Sequence, residues 1–294
     1  MVIRRLAAGD EDVLDRFLVR HADASMFLRS NARSLGLTDR GDPLQGSYVA
    51  AFDGAGRVTG AAAHYGNQMV VLQAPGAGAA AALAASAASE SGRPVAGFIG
   101  PLDQVMAARD GLGMAARPTA LASEEDLFAL DIDRMQVPPP IADGRLECRA
   151  PAGGAEIEQA RAWRASYEVE ALGARPGAEL DDSAARDIEA SAARGDLWVL
   201  VDRRGGERGA MLSMTATTAR MPDAVTIGGV YTPPELRGRG MGRAVVAGQL
   251  LGERRGGVRR AVLFTGRNNA AARRAYVSLG FRVVGDYALI LFAA

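Results

Sequence analysis

The stretch Val230–Arg243 reads VYTPPELRGRGMGR. An apolar run ends in a Pro-Pro pair, and a glycine-rich turn then opens a helical pattern. Glycine lets backbone N–H groups approach an anion without a Cβ in the way, and it tolerates positive φ. The first turn of a helix adds unpaired N–H donors and the positive end of the helix dipole. Arg237, Arg239 and Arg243 add formal charge. The chemistry these residues suit is the holding of a pyrophosphate. Two familiar phosphate loops do not fit. A Walker A loop ends in Gly-Lys-Ser/Thr, and every one of the 34 basic residues of this chain is arginine. A dinucleotide loop needs Gly-x-Gly-x-x-Gly, but counting from Gly238 the sixth position is Arg243. The spacing Arg/Gln-x-x-Gly-x-Gly fits Arg237–Gly242 at every position.

A second stretch, Asn269–Phe281, reads NAAARRAYVSLGF. Asn269, Ala272 and Tyr276 stand at i, i+3 and i+7, a spacing that predicts one helix face. Ala272 is small enough to leave room beside that face. Gly280 ends the helix and Phe281 starts a strand. A plain amphipathic helix with a core tyrosine accounts for Tyr276 but not for the joint spacing.

Together these segments resemble the GNAT acetyltransferase superfamily. The resemblance covers about residues 146–292 and is specific in Val230–Arg243 and Asn269–Phe281. It implies a co-substrate, acetyl-CoA or another acyl-CoA, and no metal. It implies that backbone amides from Arg239 to Ala244, with Arg237, Gly238, Gly240, Met241, Gly242 and Arg243, hold the pyrophosphate. Val230 and Thr232 would bond the pantetheine arm, Asn269, Ala272 and Arg273 would contact the cofactor, and Tyr276 would point at its sulfur. The implied reaction is direct attack by a neutral amine on the thioester, without a covalent enzyme intermediate. A strand-end N–H near Val230 would stabilise the oxyanion, and Tyr276, with an ordinary pKa of about 10, would protonate the departing thiolate. Glu168 and Glu170 fall where such proteins place the acceptor helix and are the candidates to take the amine's protons. Glu235 suits a pairing with a nearby arginine. The arginines between Arg254 and Arg274 read as a solvated surface, with Arg267 and Arg273 or Arg274 able to reach a 3′-phosphate.

These residues need a scaffold. Apolar periodicity predicts helices over Ile157–Leu172, Ala184–Arg194, Arg239–Arg255 and Asn269–Leu279. Strands are expected at Leu146–Ala150, Leu197–Asp202, Gly209–Thr217, Ala224–Tyr231, Arg260–Thr265 and Phe281–Phe292, with a turn at Gly205-Gly206. The first half follows a similar order, ending in a strand at Leu127–Ile132. The expectation is an α/β (α+β) protein of two GNAT-like domains, each a mixed, largely antiparallel sheet flanked by helices. The expected division is 1–136, a linker at 137–145 around the VPPP of Val137–Pro140, and a catalytic domain at 146–294. In the first half the counterpart of the glycine turn is Val70–Ala82, VVLQAPGAGAAAA, which lacks the arginine. That half is expected to have lost CoA chemistry.

Composition sets the outer limits. The formal charge is zero, with 34 basic and 34 acidic residues, which argues against a dedicated nucleic-acid binder. The single Cys148 excludes an intramolecular disulfide. The only histidines, His21 and His64, lie far from the motifs in sequence, which argues against a Ser–His or zinc site there. The opening residues lack a signal-peptide apolar core, and no run of about 18 uncharged apolar residues occurs. A cytoplasmic protein without membrane attachment is expected. The function expected is N-acylation of a small amine or amino acid. The rivals are a non-catalytic acyl-CoA sensor and an acetyltransferase acting on protein or tRNA.

Overall fold

The computed structural model describes residues 1–203 and 209–293. The turn expected at Gly205-Gly206 lies outside the described residues. Contacts divide the chain into two compact units, residues 1–127 with 284–294, and residues 128–283.

The first unit contains strand β1 (Val2–Arg5), helices α1 (Glu11–Leu18) and α2 (Met26–Leu35), and strands β2 (Gly46–Phe52), β3 (Val58–Tyr65) and β4 (Met69–Gln73). Helix α3 (Ala77–Ser91), strand β5 (Gly97–Pro101), helix α4 (Leu102–Gly111) and the beginning of strand β6 (Thr119–Asp131) follow. β1 to β4 pair antiparallel in sequence order, and β4 pairs β5 in parallel. Helix α3, mostly alanine, buries Ala80, Leu83, Ala84 and Ala87 against Val49, Val70, Leu72 and Phe98. Small side chains let this helix lie close to the sheet, which offsets the small area each one buries.

The second unit repeats that order. It runs through β7 (Leu146–Arg149), α6 (Gly154–Leu172), α7 (Ala178–Ala193), β8 (Leu197–Asp202), β9 (Met211–Arg220) and β10 (Ala224–Tyr231). It continues through α8 (Met241–Arg255), β11 (Arg260–Gly266) and α9 (Ala270–Leu279) to the first two residues of β12 (Arg282–Phe292), the rest of which belongs to the first unit. β7 to β10 are antiparallel neighbours, and β10 pairs β11 in parallel. Both units thus carry an antiparallel meander, a helical crossover and a parallel strand, the expected fold class. Helix α8 lies against the sheet through Val245, Val246 and Leu250, all fully buried. Two glycines permit the approach: a Cβ at Gly248 would fall 2.2 Å from Cys148 Cβ, and one at Gly252 would fall 2.3 Å from the Trp198 ring.

The closing strands change places. Tyr287–Leu291 of β12 pair antiparallel with Gly97–Pro101 of β5, and Ala288, Ile290 and Phe292 enter the first unit's core. Tyr287 Oη donates to Ala24 O at 3.2 Å. Conversely Phe128, Leu130 and Ile132, from the end of β6 onward, pack in the second unit's core, where Ile132 N donates to Arg259 O at 2.9 Å. The division expected at 1–136, 137–145 and 146–294 is therefore corrected. The supposed linker is part of the second unit: Pro139–Ala142 form a short helix, α5, with proline at its start, and Ile141 packs on the core. Proline forbids a helix interior but suits the first helical position, where its missing N–H has no partner to lose. Two helices also begin earlier than periodicity suggested, α6 at Gly154 and α7 at Ala178, and β6 begins at Thr119. Among the described residues no helix is long and apolar enough to cross a membrane.

Candidate functional site

The chemistry-bearing segments of the second unit converge where β10 ends. The parallel ladder with β11 runs over Ala224–Thr226 against Arg260–Val262, which leaves that edge of Ile227–Tyr231 outside the ladder. On the other edge, Gly228 pairs with Ala216 and Tyr231 with Met214, so three steps on β10 oppose two on β9. This is a β-bulge, and Gly229 within it has φ +59. The bulge leaves Gly229 and Val230 without a partner in the ladder with β9.

Beyond the bulge the chain is tied down atom by atom. Ser213, fully buried, donates its hydroxyl to Tyr231 O at 2.7 Å and lies 3.0 Å from Thr232 Oγ1. The Ser213 proton goes to the carbonyl, so Thr232 is the donor in the second contact and offers lone pairs outward. Arg237 Nε donates to Thr232 O at 2.9 Å. Arg237 Nη2 pairs with Glu170 Oε2 at 2.5 Å, and Tyr231 Oη donates to Glu170 Oε1 at 3.1 Å. Glu170 therefore clamps the loop to α6. Burial, with Glu170 beside it, raises the Tyr231 phenol above its ordinary pKa.

Gly238 (φ +75) and Gly240 (φ +80) then make a left-handed turn into α8, and no side chain caps the helix. An L side chain is strained at either position. Nothing stands within 4 Å of a Cβ built at Gly238, and at Gly242 a Cβ would meet Thr232 Oγ1 at 3.6 Å and Val230 Cγ1 at 3.8 Å. The helix N-terminus thus abuts the end of β10 and is otherwise open. The guanidinium of Arg243 reaches back, with Nη2 3.8 Å from a Cβ built at Gly240, and its Nε is buried without a partner. Ala244 N bonds Gly240 O at 2.9 Å, so the free donors are those of Arg239–Arg243, one fewer than the sequence suggested.

Val230, Met241 and Ala272 each pack against the large core cluster that includes Tyr276. The end of β10 and the start of α8 meet at Gly242, and the start of α9 rests on the same core. The Tyr276 residue is 7% exposed, with Phe128 and Phe281 edge-on to its ring at centroid distances of 6.2 and 6.0 Å. Asn269 caps α9: its Oδ1 accepts from Ala272 N at 3.1 Å. The i, i+3 spacing read as a shared face is thus a capping contact. Arg273 is half-buried on α9, and Arg254 of the basic series pairs with Asp133 at 2.7 Å.

Facing the bulge from α6 is Arg164. Its Nη1 lies 3.7 Å from a Cβ built at Gly229, and its Nη2 pairs with Glu168 at 2.6 Å and Asp187 at 3.0 Å. The two carboxylates singled out in the sequence are thus each engaged by an arginine. Glu170 holds the loop ahead of α8, and Glu168 pairs with Arg164, which faces the bulge. Arg164, Ser213 and Tyr231 were missed by sequence reasoning. Nothing in their spacing marks them, since each becomes special only through a partner about 18 to 65 positions away.

Behind the site a buried polar chain fixes α8 to β9. Thr215 Oγ1 donates to Gln249 Oε1 at 3.0 Å, Gln249 Nε2 to Thr217 Oγ1 at 2.9 Å, and Thr217 Oγ1 to Glu253 Oε1 at 2.8 Å. Arg220 closes it with two bonds to Glu253, at 2.6 and 2.8 Å. A buried carboxylate so paired sets the helix's register on the sheet.

The first unit has the same frame with the slot filled. Gly76 (φ +102) opens α3 without a cap, but Gln104 Oε1, from α4, accepts from Ala74 N at 2.6 Å. A side chain of the unit itself takes the strand-end donor, and no arginine lies between Val70 and Ala82.

Residues 205–289 match the family model described as FR47-like protein. No curated protein sequence matches the chain. Among solved structures, a Drosophila protein is similar over 99% of this chain and 98% of its own, with TM-score 0.68 and 14% identity. A GCN5-related N-acetyltransferase from Sphaerobacter thermophilus is similar over 98% of this chain and 94% of its own, with TM-score 0.60 and 16% identity. A tandem GNAT protein from the clavulanic acid biosynthesis pathway is similar over 99% of this chain and 98% of its own, with TM-score 0.50 and 17% identity. With the element order repeated in two units and the glycine turn in the second, the chain is a tandem GNAT-fold protein.

Proposed function

We propose that the protein is an acyltransferase that moves an acetyl or related acyl group from acyl-CoA to a primary amine, and that the second unit does the chemistry. The observation that carries this reading is the uncapped, glycine-lined start of α8 set against the bulged end of β10, whose edge toward β11 is open. The residues fit an acyl-CoA. Donors of Arg239–Arg243 and the buried, unpartnered Nε of Arg243 suit a pyrophosphate. Val230 and Thr232 suit the amide-bearing arm, with Thr232 presenting an acceptor because its proton is held by Ser213. The co-substrate supplies an activated thioester carbonyl.

Each remaining task falls to a residue of this chain. Glu168 accepts a proton from the incoming ammonium and passes it to water. A backbone N–H of the bulge stabilises charge on the carbonyl oxygen. As the new C–N bond forms the C–S bond breaks, Tyr276 gives its proton to the departing sulfur, and the proton shed by the nitrogen returns to Tyr276. The first unit is read as having no acyl-CoA chemistry of its own.

Calorimetric titration with acetyl-CoA and with CoA tests the reading. One micromolar site, lost in Gly240→Asp, is expected, since a carboxylate there opposes the phosphates. Unchanged binding in that variant would remove α8 as the site. The close packing of Tyr276 favours a second reading, an acyl-CoA-binding protein without turnover. Full binding with no transfer to any amine would select it.

A further inference from the structure

The side chain of Arg164 is poised for more than its ion pairs. A guanidinium carries five N–H donors. Nη2 engages Glu168 and Asp187, whereas Nε is buried without a partner and Nη1, with no partner among the described residues, faces the bulge at Gly229. The side chain is also held in place. It is 23% exposed, and its guanidinium carbon lies 5.5 Å from the centroid of the Tyr167 ring. A permanently charged fork with unused donors, fixed beside the point of reaction, is a receptor for a planar anion. Glu168, one turn along the same helix, presents the opposite charge next to it. A positive and a negative group side by side complement a ligand that carries both charges a few atoms apart.

Resting on the acyl-transfer reading above, we propose that Arg164 determines acceptor specificity: the acceptor is a primary amine that also bears a carboxylate, the carboxylate held by Arg164 and the ammonium by Glu168. Uncharged amines lack the group that the fork is set to receive. Leaving buried donors unmatched is the discrimination that polar sites achieve best.

The test uses the full chain, acetyl-CoA, and the twenty standard amino acids, each beside its carboxamide. Acetylation of at least one amino acid, with kcat/KM at least about tenfold above its carboxamide, is expected. Arg164→Gln should bring the ratio close to one by raising KM for the acid, while Arg164→Lys keeps part of the preference. CoA affinity, read by calorimetry, should stay within about twofold in both variants, which also reports that the fold is intact. Equal use of the carboxamides, no amino acid taken, or an Arg164→Gln that lowers kcat alike for both partners would overturn the proposal. Failure of the wild-type protein to bind acetyl-CoA would instead remove the acyl-transfer reading beneath it.

Discussion

Arg237 Nη2 lies 2.5 Å from Glu170 Oε2, across a gap of 67 positions in sequence. The contact joins the loop that leads into the glycine turn before α8 to the far end of α6. It also sets two neighbouring carboxylates apart, since Glu170 is held by the loop while Glu168 pairs with Arg164 of its own helix.

Glu170→Gln is therefore expected to act on binding. Both partners are 40–50% exposed, so the pair contributes at most about 1 kcal/mol. KM for acetyl-CoA should rise about two- to fivefold with kcat nearly unchanged. Steady-state kinetics across pH checks this. A large fall in kcat with loss of the acidic limb would make Glu170 the base instead.

Ser213→Ala removes the hydroxyl that links Tyr231 O to Thr232. Ser213 is fully buried, so a loss of about 1–2 kcal/mol is expected in urea unfolding. KM for acetyl-CoA should rise because Thr232 is no longer fixed. Ser213→Thr, which keeps the hydroxyl, should restore part of both.

Arg220→Ala leaves the Glu253 carboxylate buried with one short bond, from Thr217. Because the arginine is itself 44% exposed, water can reach the gap, and a loss of about 2 kcal/mol is expected. Glu253→Gln should cost less than Arg220→Ala, because a neutral amide needs no counter-charge. Denaturant midpoints of the two variants decide.

Stability should fall in mild acid through His64. Its ring is fully buried, with Nδ1 2.6 Å from Ser91 Oγ, and burial lowers its pKa in the folded state. Above an unfolded-state value of about 6.5 both states are neutral and stability is flat. Below it the unfolded chain binds a proton that the native chain resists, so stability falls by up to about 1.4 kcal/mol per pH unit until the native pKa is reached. Unfolding midpoints at pH 7.5, 6.5 and 5.5 should show a steeper drop for the wild type than for His64→Gln.

The chain contains no lysine. Prolonged incubation with acetyl-CoA at alkaline pH should therefore acetylate no side-chain amine of these residues. Peptide mass spectrometry checks this, and a single labile adduct that an added amine discharges would point to an acyl-enzyme, which the direct-attack reading excludes.

The elements that carry the candidate site are legible in the sequence. β10 was bounded to the residue, because an apolar run ends at Thr232 and two prolines cannot continue a strand. The turn at Gly238–Gly242 was legible because few backbones other than a helix start with positive φ need so many glycines. The rest depended on contacts that leave no local trace. Phe128 and Leu130 in β6, and Ala288 and Ile290 in β12, declare by their alternation that they are buried, but not in which unit. Arg164 and Glu168 look like an ordinary i, i+4 pair on a solvated helix until the bulge at Gly229 is seen beside them. The cap that Asn269 makes is not legible as such, because capping and ligand contact ask for the same residue type at the same place.

The exchange of closing strands also sets an order of events during synthesis. A ribosome delivers β1 to β5 early, yet the strand that pairs with β5 emerges only after all of the second unit has been made. Until then Gly97–Pro101 offers an unpaired edge on which other chains can add. A nascent first half therefore lacks the strand that closes its sheet until the last residues are made. An expressed fragment ending near residue 136 should be insoluble unless Arg282–Phe292 is supplied as a separate peptide.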